Sequence, residues 1–324
     1  MVRKSRAFVS TVFFGAVLAG AGSPAQAARI EFRTFQTTTL SDEQFLNGVR
    51  EGIPVTISGD LRIPGTSAAG RVPAVVLLHG SGGINHSHEL WSQEFLGMGF
   101  ATFIVDSFSG RGIVRTSNDQ AQLGSLAMIV DAYRALELLA HHPRIDPQRI
   151  ALMGFSRGGH SALYASVRRF QRMHGPPGLE FAAYIPFYAA CNIKFRGDGD
   201  VSDRPIRIHH GLADDFIPIA PCRLYVARLR AANKDVVLTA YPNAYHFFDN
   251  PGIPQPRQAV RWQTTRSCAM HEDQNGRVIN NASGRMFSYE DACVELGPTQ
   301  GYNAEAHAAS VRAVKAFLSS TFGL

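Results

Sequence analysis

A serine hydroxyl is a poor nucleophile near neutral pH, and a chain that uses one must supply a base and hold that base in place. The segment Gly154-Phe155-Ser156-Arg157-Gly158 offers such a serine. It closes an apolar strand and opens a helix, the setting in which a strained turn lifts a hydroxyl above a sheet. Two later loops, each following an apolar strand, carry the partners. The first, Gly211 to Pro218, offers Asp214 and Asp215 as the acid, and bare spacing does not separate them. The second, Pro242 to Asp249, carries His246 among aromatic residues, where a partly apolar pocket keeps an imidazole neutral and able to accept the serine proton. His209 and His210 lie at the end of a strand ahead of the acid, a place that does not suit the base. Negative charge developing on a carbonyl oxygen calls for two amide donors. Arg157 N at the helix start is one, and the loop His79 to Gly83 supplies the other at Ser81 or Gly82. His79 itself reads as a structural hydrogen-bonding residue. The glycines there are no phosphate cradle, because no lysine follows in the required place and the dinucleotide glycine spacing is absent. The chemistry is acyl transfer and calls for no metal, nucleotide or organic cofactor.

The elements that must position these groups follow from the apolar pattern. Val72 to His79 is apolar on both faces, as a strand buried in a parallel sheet must be. Val55 to Pro64, Phe100 to Asp106, Arg149 to Phe155, Phe181 to Phe187, Ile206 to His210 and Val236 to Tyr241 also read as strands. Helices are expected over Glu89–Met98, Leu123–Ala140, Gly158–Phe170, Ala220–Ala231 and Ala304–Leu318. This alternation specifies an α/β architecture, with a mostly parallel central sheet covered by helices on both faces and right-handed crossovers. One stretch breaks the rhythm. From Asn250 to Gly301 the chain is too polar for core and too long for a simple connection, and it reads as a cap or side excursion.

The chain has 324 residues, 45% of them hydrophobic and 18% charged, which excludes a wholly disordered protein. Its net charge of +6 falls to +3 without Arg3, Lys4 and Arg6, too small an excess to imply a nucleic-acid partner. Those three residues precede an apolar run from Ala7 to Ala21 and the small-residue site Ala25-Gln26-Ala27. The order is that of a secretory leader at 1–27, cleaved after Ala27, with a single catalytic domain at 28–324. The run is too short for a comfortable membrane span, so the mature protein is expected to be exported, periplasmic or extracellular, with no stable span. Cys191, Cys222, Cys268 and Cys293 then lie in an oxidising space. Sequence does not select among their three full pairings. The preferred one joins Cys191 to Cys222 and Cys268 to Cys293, the second closing a polar stretch that gains most from reduced chain entropy. Their spacing is too wide for paired zinc knuckles.

Several segments together resemble the dienelactone hydrolase family of α/β-hydrolases. They are HGSGG at His79–Gly83, DSFSGRG at Asp106–Gly112, GFSRGG at Gly154–Gly159, GLADDFIP at Gly211–Pro218 and YPNAYHFFD at Tyr241–Asp249. The resemblance covers most of the chain beyond the leader. It implies an α/β-hydrolase fold, with the acid at the fourth position of the Gly211 segment, Asp214, and the base at His246. Dienelactone hydrolases proper use cysteine as nucleophile where this chain has Ser156. The reading is therefore a serine hydrolase acting on a small-molecule ester or lactone. Its alternatives are an acyltransferase or peptidase on the same scaffold, and a catalytically silent binding protein. Arg111 and Arg157 are candidates for an anionic substrate group or for surface salt bridges. Phe108, Phe155, Tyr188, Phe216, Tyr245 and Phe247 are candidates for an apolar wall or for core.

Overall fold

Strands that are apolar on both faces can only lie inside a covered sheet. The computed structural model describes residues 1–2, 28–65 and 70–324, so the leader read at 1–27 lies, beyond its first two residues, outside the described residues. The strands β1 (Arg29–Thr39), β2 (Ile53–Ile63), β3 (Val72–Leu78), β4 (Ala101–Asp106), β5 (Ile145–Phe155) and β6 (Ala183–Phe187) share one sheet. The short β7 (Ile193–Lys194) leaves that sheet, and β8 (Ile206–Gly211) and β9 (Val236–Tyr241) complete it. Its eight strands run in the order β1-β2-β4-β3-β5-β6-β8-β9. Every neighbour from β4 to β9 pairs in parallel, while β1 and β2 are antiparallel additions at one edge. All seven residues of β3, at the sheet centre, are buried.

Two hydrophobic clusters lie on opposite faces. One gathers side chains from α1 (Asp42–Leu46) and α3 (Ala127–Ala140), from α4 (Arg157–Tyr164) and α5 (Arg168–His174), and from α6 (Ala220–Ala231). The other gathers Trp91 and Phe95 of α2 (His86–Gly97) with Val314 and Leu318 of α7 (Ala304–Phe322). The expected continuous helix over 158–170 is two helices. Between them Val167 is extended and bridges Val201, and Ser202 N donates to Ser166 O at 2.7 Å, so the backbone turns to strand-like pairing instead of continuing the helix. β1 did not stand out as a strand, because its outer residues are largely exposed and carry no continuous apolar signal. Pairing with β2 over eleven positions makes it one.

Between Asn250 and Gly301 the chain makes only short strands. These are β10 (Arg257–Gln258), β11 (Gln263–Thr264), β12 (Met270–Glu272), β13 (Val278–Asn280), β14 (Glu295–Leu296) and β15 (Thr299–Gln300). They pair as β10 with β15, β11 with β14, and β13-β12-β7. The cysteines pair as Cys191–Cys222, which fastens the chain before β7 to α6, and Cys268–Cys293, which closes the excursion just before α7. Among the described residues no helix is long and apolar enough to cross a membrane.

Candidate active site

The turn from β5 into α4 puts Ser156 in a conformation that a side chain rarely adopts, with φ 57° and ψ −113°. A Cβ on Gly154 would lie 2.1 Å from Gly158 O, and one on Gly158 2.4 Å from Leu78 O. Only glycine permits the backbone to close so tightly on itself and on β3. The turn is held from the neighbouring strand, where Ser156 N donates to Phe187 O at 3.0 Å. Ser156 occupies the N-cap position without a side-chain capping bond. Its hydroxyl instead donates to His246 Nε2 at 2.9 Å.

His246 arrives on the loop after β9 and the acid on the loop after β8. Leu212 N donates to Tyr241 O at 2.9 Å and Ala213 N to Ala244 O at 3.0 Å, so the two loops are fastened to each other. His246 Nδ1–H donates to Asp214 Oδ2 at 2.8 Å, which fixes the neutral tautomer whose Nε2 accepts from the serine. Asp214 Oδ1 accepts from Phe216 N at 3.0 Å and Ile217 N at 2.8 Å. Ser156 is 4% exposed, Asp214 5% and His246 0%. The imidazole lies between the rings of Tyr188 and Phe216, each centroid 4.5 Å away.

Asp215 faces elsewhere. Its carboxylate accepts from Thr299 N at 2.7 Å and Thr299 Oγ1 at 3.0 Å and pairs with Arg266 at 3.5 Å, all on the excursion. His210 is buried beneath the acid, with Nε2–H donating to Ile217 O at 2.7 Å and lying 3.6 Å from Asp214 Oδ2. Burial holds its pKa below the ordinary histidine range. His209 Nδ1 meets the Tyr241 hydroxyl at 2.7 Å, and burial pushes its pKa down to about 3. His79 bridges Gly80 O and Ser107 N, a structural arrangement.

Ser156, Arg157 and Ser81 line one cavity of about 410 Å³. Arg157 is not a surface residue, and neither is Arg111. Nη1 of Arg157 donates to Leu123 O at 2.9 Å and Gly124 O at 3.3 Å, and Nη2 to Gln120 O at 3.0 Å and Gln120 Oε1 at 2.7 Å. Its Nε reaches Ser81 Oγ at 3.4 Å. Arg111 forms a buried two-pronged pair with Asp131 at 2.8 and 2.9 Å. Of the six aromatic candidates, Phe216 alone lines the cavity; Phe108 and Phe155 belong to the core, Tyr188 and Phe247 pack on His246, and Tyr245 is half-buried away from the cavity lining.

Three features escaped the sequence reading. His160, one turn after the nucleophile, lines the cavity; Nδ1–H donates to Ala190 O at 3.1 Å, and burial pushes its pKa down to about 4. Its position four residues after Ser156 was the available signal. Tyr289 reaches the cavity from the excursion, and burial raises its phenol above the ordinary range against the pull of the neighbouring Arg157 guanidinium. Asp249, three residues after His246, accepts from Trp91 Nε1 and from the Tyr188 hydroxyl, each at 2.9 Å. Burial holds its carboxyl above the usual aspartate range.

Residues 62–322 match the dienelactone hydrolase family. The chain belongs to that family. The fold of a dienelactone hydrolase-like promiscuous phosphotriesterase from metagenomic libraries is similar, with a TM-score of 0.55 at 18% identity, covering 90% of this chain and 98% of that one. A protein described as m3DLH is similar with a TM-score of 0.58 at 20% identity, over the same shares of the two chains. An uncharacterized protein of Caenorhabditis elegans is 28% identical over 117 residues, which are 36% of this chain and 70% of that protein. Within the dienelactone hydrolase family, the hydroxyl, imidazole and carboxylate found here make a serine-hydrolase arrangement.

Proposed function

We propose that the protein cleaves carboxylic esters or lactones through an acyl-enzyme formed on Ser156. The observation that carries this reading is the continuous relay from Ser156 Oγ to His246 Nε2 at 2.9 Å and from His246 Nδ1 to Asp214 Oδ2 at 2.8 Å, beside a cavity of about 410 Å³. His246 takes the Ser156 proton as the oxygen attacks the substrate carbonyl, and Asp214 keeps the imidazole in the productive tautomer. The amides of Arg157 and of Ser81 or Gly82 hold the oxyanion, Arg157 from the start of α4 where helix amides point outward. Collapse expels the alcohol, whose oxygen takes the proton from His246. Water, deprotonated by the same imidazole, then attacks the acyl carbonyl; collapse breaks the bond to Ser156 Oγ, which takes the proton back from His246, and releases the carboxylic acid.

Export as a single catalytic domain spanning 28–324 accompanies this reading. The basic flank, the apolar run and Ala25-Gln26-Ala27 support a leader, and two disulfides suit an oxidising compartment.

The test is intact-mass labelling with a serine-directed phosphonate, beside turnover of an ester, lactone and amide panel. The wild type is expected to take one adduct and to hydrolyse esters or lactones, and Ser156→Ala to do neither. Labelling that persists in Ser156→Ala would overturn the assignment of the nucleophile. Preferential turnover of amides, or transfer to an added alcohol, would favour the peptidase or transferase reading.

A further inference from the structure

The cavity beside Ser156 is built from two kinds of wall. Its floor is α4, with Ser156, Arg157 and His160. Facing it are Met270, Val278, Met286, Phe287, Ser288 and Tyr289, all of which lie between Cys268 and Cys293. Four of these six side chains are wholly apolar. The segment that carries them is firmly placed: Phe287 N donates to Val278 O at 2.8 Å, Asn280 Nδ2 to Asp291 Oδ2 at 2.7 Å, and the Phe287 and Tyr289 rings meet edge to face at 5.1 Å.

The charged groups on the cavity do not form an anion receptor. Arg157 directs its N–H groups at the oxygens of Gln120, Leu123, Gly124 and Ser81 and also meets the Tyr289 phenol, all neutral partners, so the guanidinium ties the floor to the facing segment. Asp42, also on the cavity, is fixed by Leu126 N at 2.9 Å and Ser125 Oγ at 2.8 Å and presents a like charge to any carboxylate. Taking an ionised group against an apolar wall without a partner is strongly unfavourable, whereas an alkyl or aryl group gains by leaving water.

Resting on the ester-hydrolase reading above, we infer that the disulfide-closed segment Cys268–Cys293 is the substrate-selecting wall of the enzyme. It favours esters whose acyl part is neutral, apolar and several carbons long. A pocket of about 410 Å³ accommodates such a chain, within the usual range for small-molecule sites.

The experiment compares kcat/KM for p-nitrophenyl acetate, valerate and octanoate and for the mono-p-nitrophenyl ester of glutarate, which is as long as valerate but ends in a carboxylate. The wild type is expected to prefer octanoate to acetate by about tenfold or more, and valerate to the glutarate ester by a similar factor. Phe287→Ala is expected to lower the octanoate-to-acetate ratio about tenfold, and the milder Phe287→Leu to lower it by less. A wild type that takes acetate as well as octanoate, or the glutarate ester as well as valerate, overturns the inference without recourse to any variant. So does a ratio left unchanged by both substitutions at Phe287. A wild type that hydrolyses none of the four and takes no phosphonate would instead refute the ester-hydrolase reading on which the inference stands.

Discussion

The loops that carry Ser156, Asp214 and His246 and the excursion that faces them are held by different forces. The serine and acid loops directly continue buried strands and the histidine loop continues the half-buried edge strand β9, so their positions are set by one sheet with a hydrophobic cluster on each face. The excursion has strands of only two or three residues and leans on polar fastenings. Glu272, with no exposed side-chain surface, receives both Nη atoms of Arg169 at 2.9 and 2.7 Å and Arg196 N at 2.8 Å. Arg266 pairs with Glu295 and Asp215, and Cys268–Cys293 closes the middle. The chemistry is thus assembled on the part of the molecule that hydrophobic burial makes rigid. The wall that faces it adds to a smaller apolar contact, made by Cys268, Met270 and Val278, a set of individual polar pairs, each of which can be removed singly.

The largest expected effect belongs to the sheet-borne side. Ser156→Ala should lower turnover of an activated ester by roughly 10⁴-fold or more while the far-ultraviolet circular dichroism is unchanged. Asp214→Asn should lower kcat by roughly 10²-fold or more through loss of imidazole orientation. Asp215→Asn should cost less than about tenfold and lower the thermal midpoint, since its bonds go to Thr299 and Arg266. If Asp215→Asn proved the more damaging to kcat, the two carboxylates would have to exchange roles.

On the other side, Glu272→Gln leaves the half-buried Arg169 guanidinium without its counter-charge, and breaking such a pair costs up to about 3 kcal/mol. Limited proteolysis should then cut first within 250–301 while the sheet survives. Simultaneous cutting in both regions would show that they unfold as one unit. The smallest effect is expected at Asp249. Its carboxyl is held above the aspartate range by burial, so the folded protein binds its proton more readily than the unfolded chain does. Stability from this group is full below the ordinary aspartate pKa and declines as pH rises from there through the raised folded value. Asp249→Asn keeps an oxygen for Trp91 and offers an amide to the Tyr188 hydroxyl. It should flatten that part of the denaturation profile; an unchanged slope would place the pH dependence elsewhere.

The same contrast explains what the amino-acid pattern revealed. Apolar runs located β2 to β6, β8 and β9 but not the two-residue β7, and the loops at their ends were where serine, acid and base candidates stood. The limits of α6 and β9 agree with those read from periodicity, because Pro218 and Pro221 mark the start of α6, Asn233-Lys234-Asp235 separates the two and Pro242-Asn243 ends β9. The break between α4 and α5 was not legible, since it depends on Val167 finding Val201 across more than thirty residues. Tyr289 was equally hidden: a lone tyrosine in a polar stretch carries no local sign that it will reach Arg157. The ion pairs of Glu272 and Arg266 are likewise long-range matches that no local window contains.

The excursion leaves the chain at Asn250, directly after the histidine loop, and comes back where Gly301 N donates to His246 O at 3.0 Å and Tyr302 N to Ile253 O at 2.8 Å. Its two ends are therefore neighbours, stitched together beside the imidazole. Such a junction behaves like a socket: about fifty residues can be exchanged for a segment of another length and shape without asking any strand of the sheet to move. New substrate preferences can then arise by replacing this inserted piece, provided the replacement keeps the bonds to Asp215, Phe216 and His246 that border the proton relay.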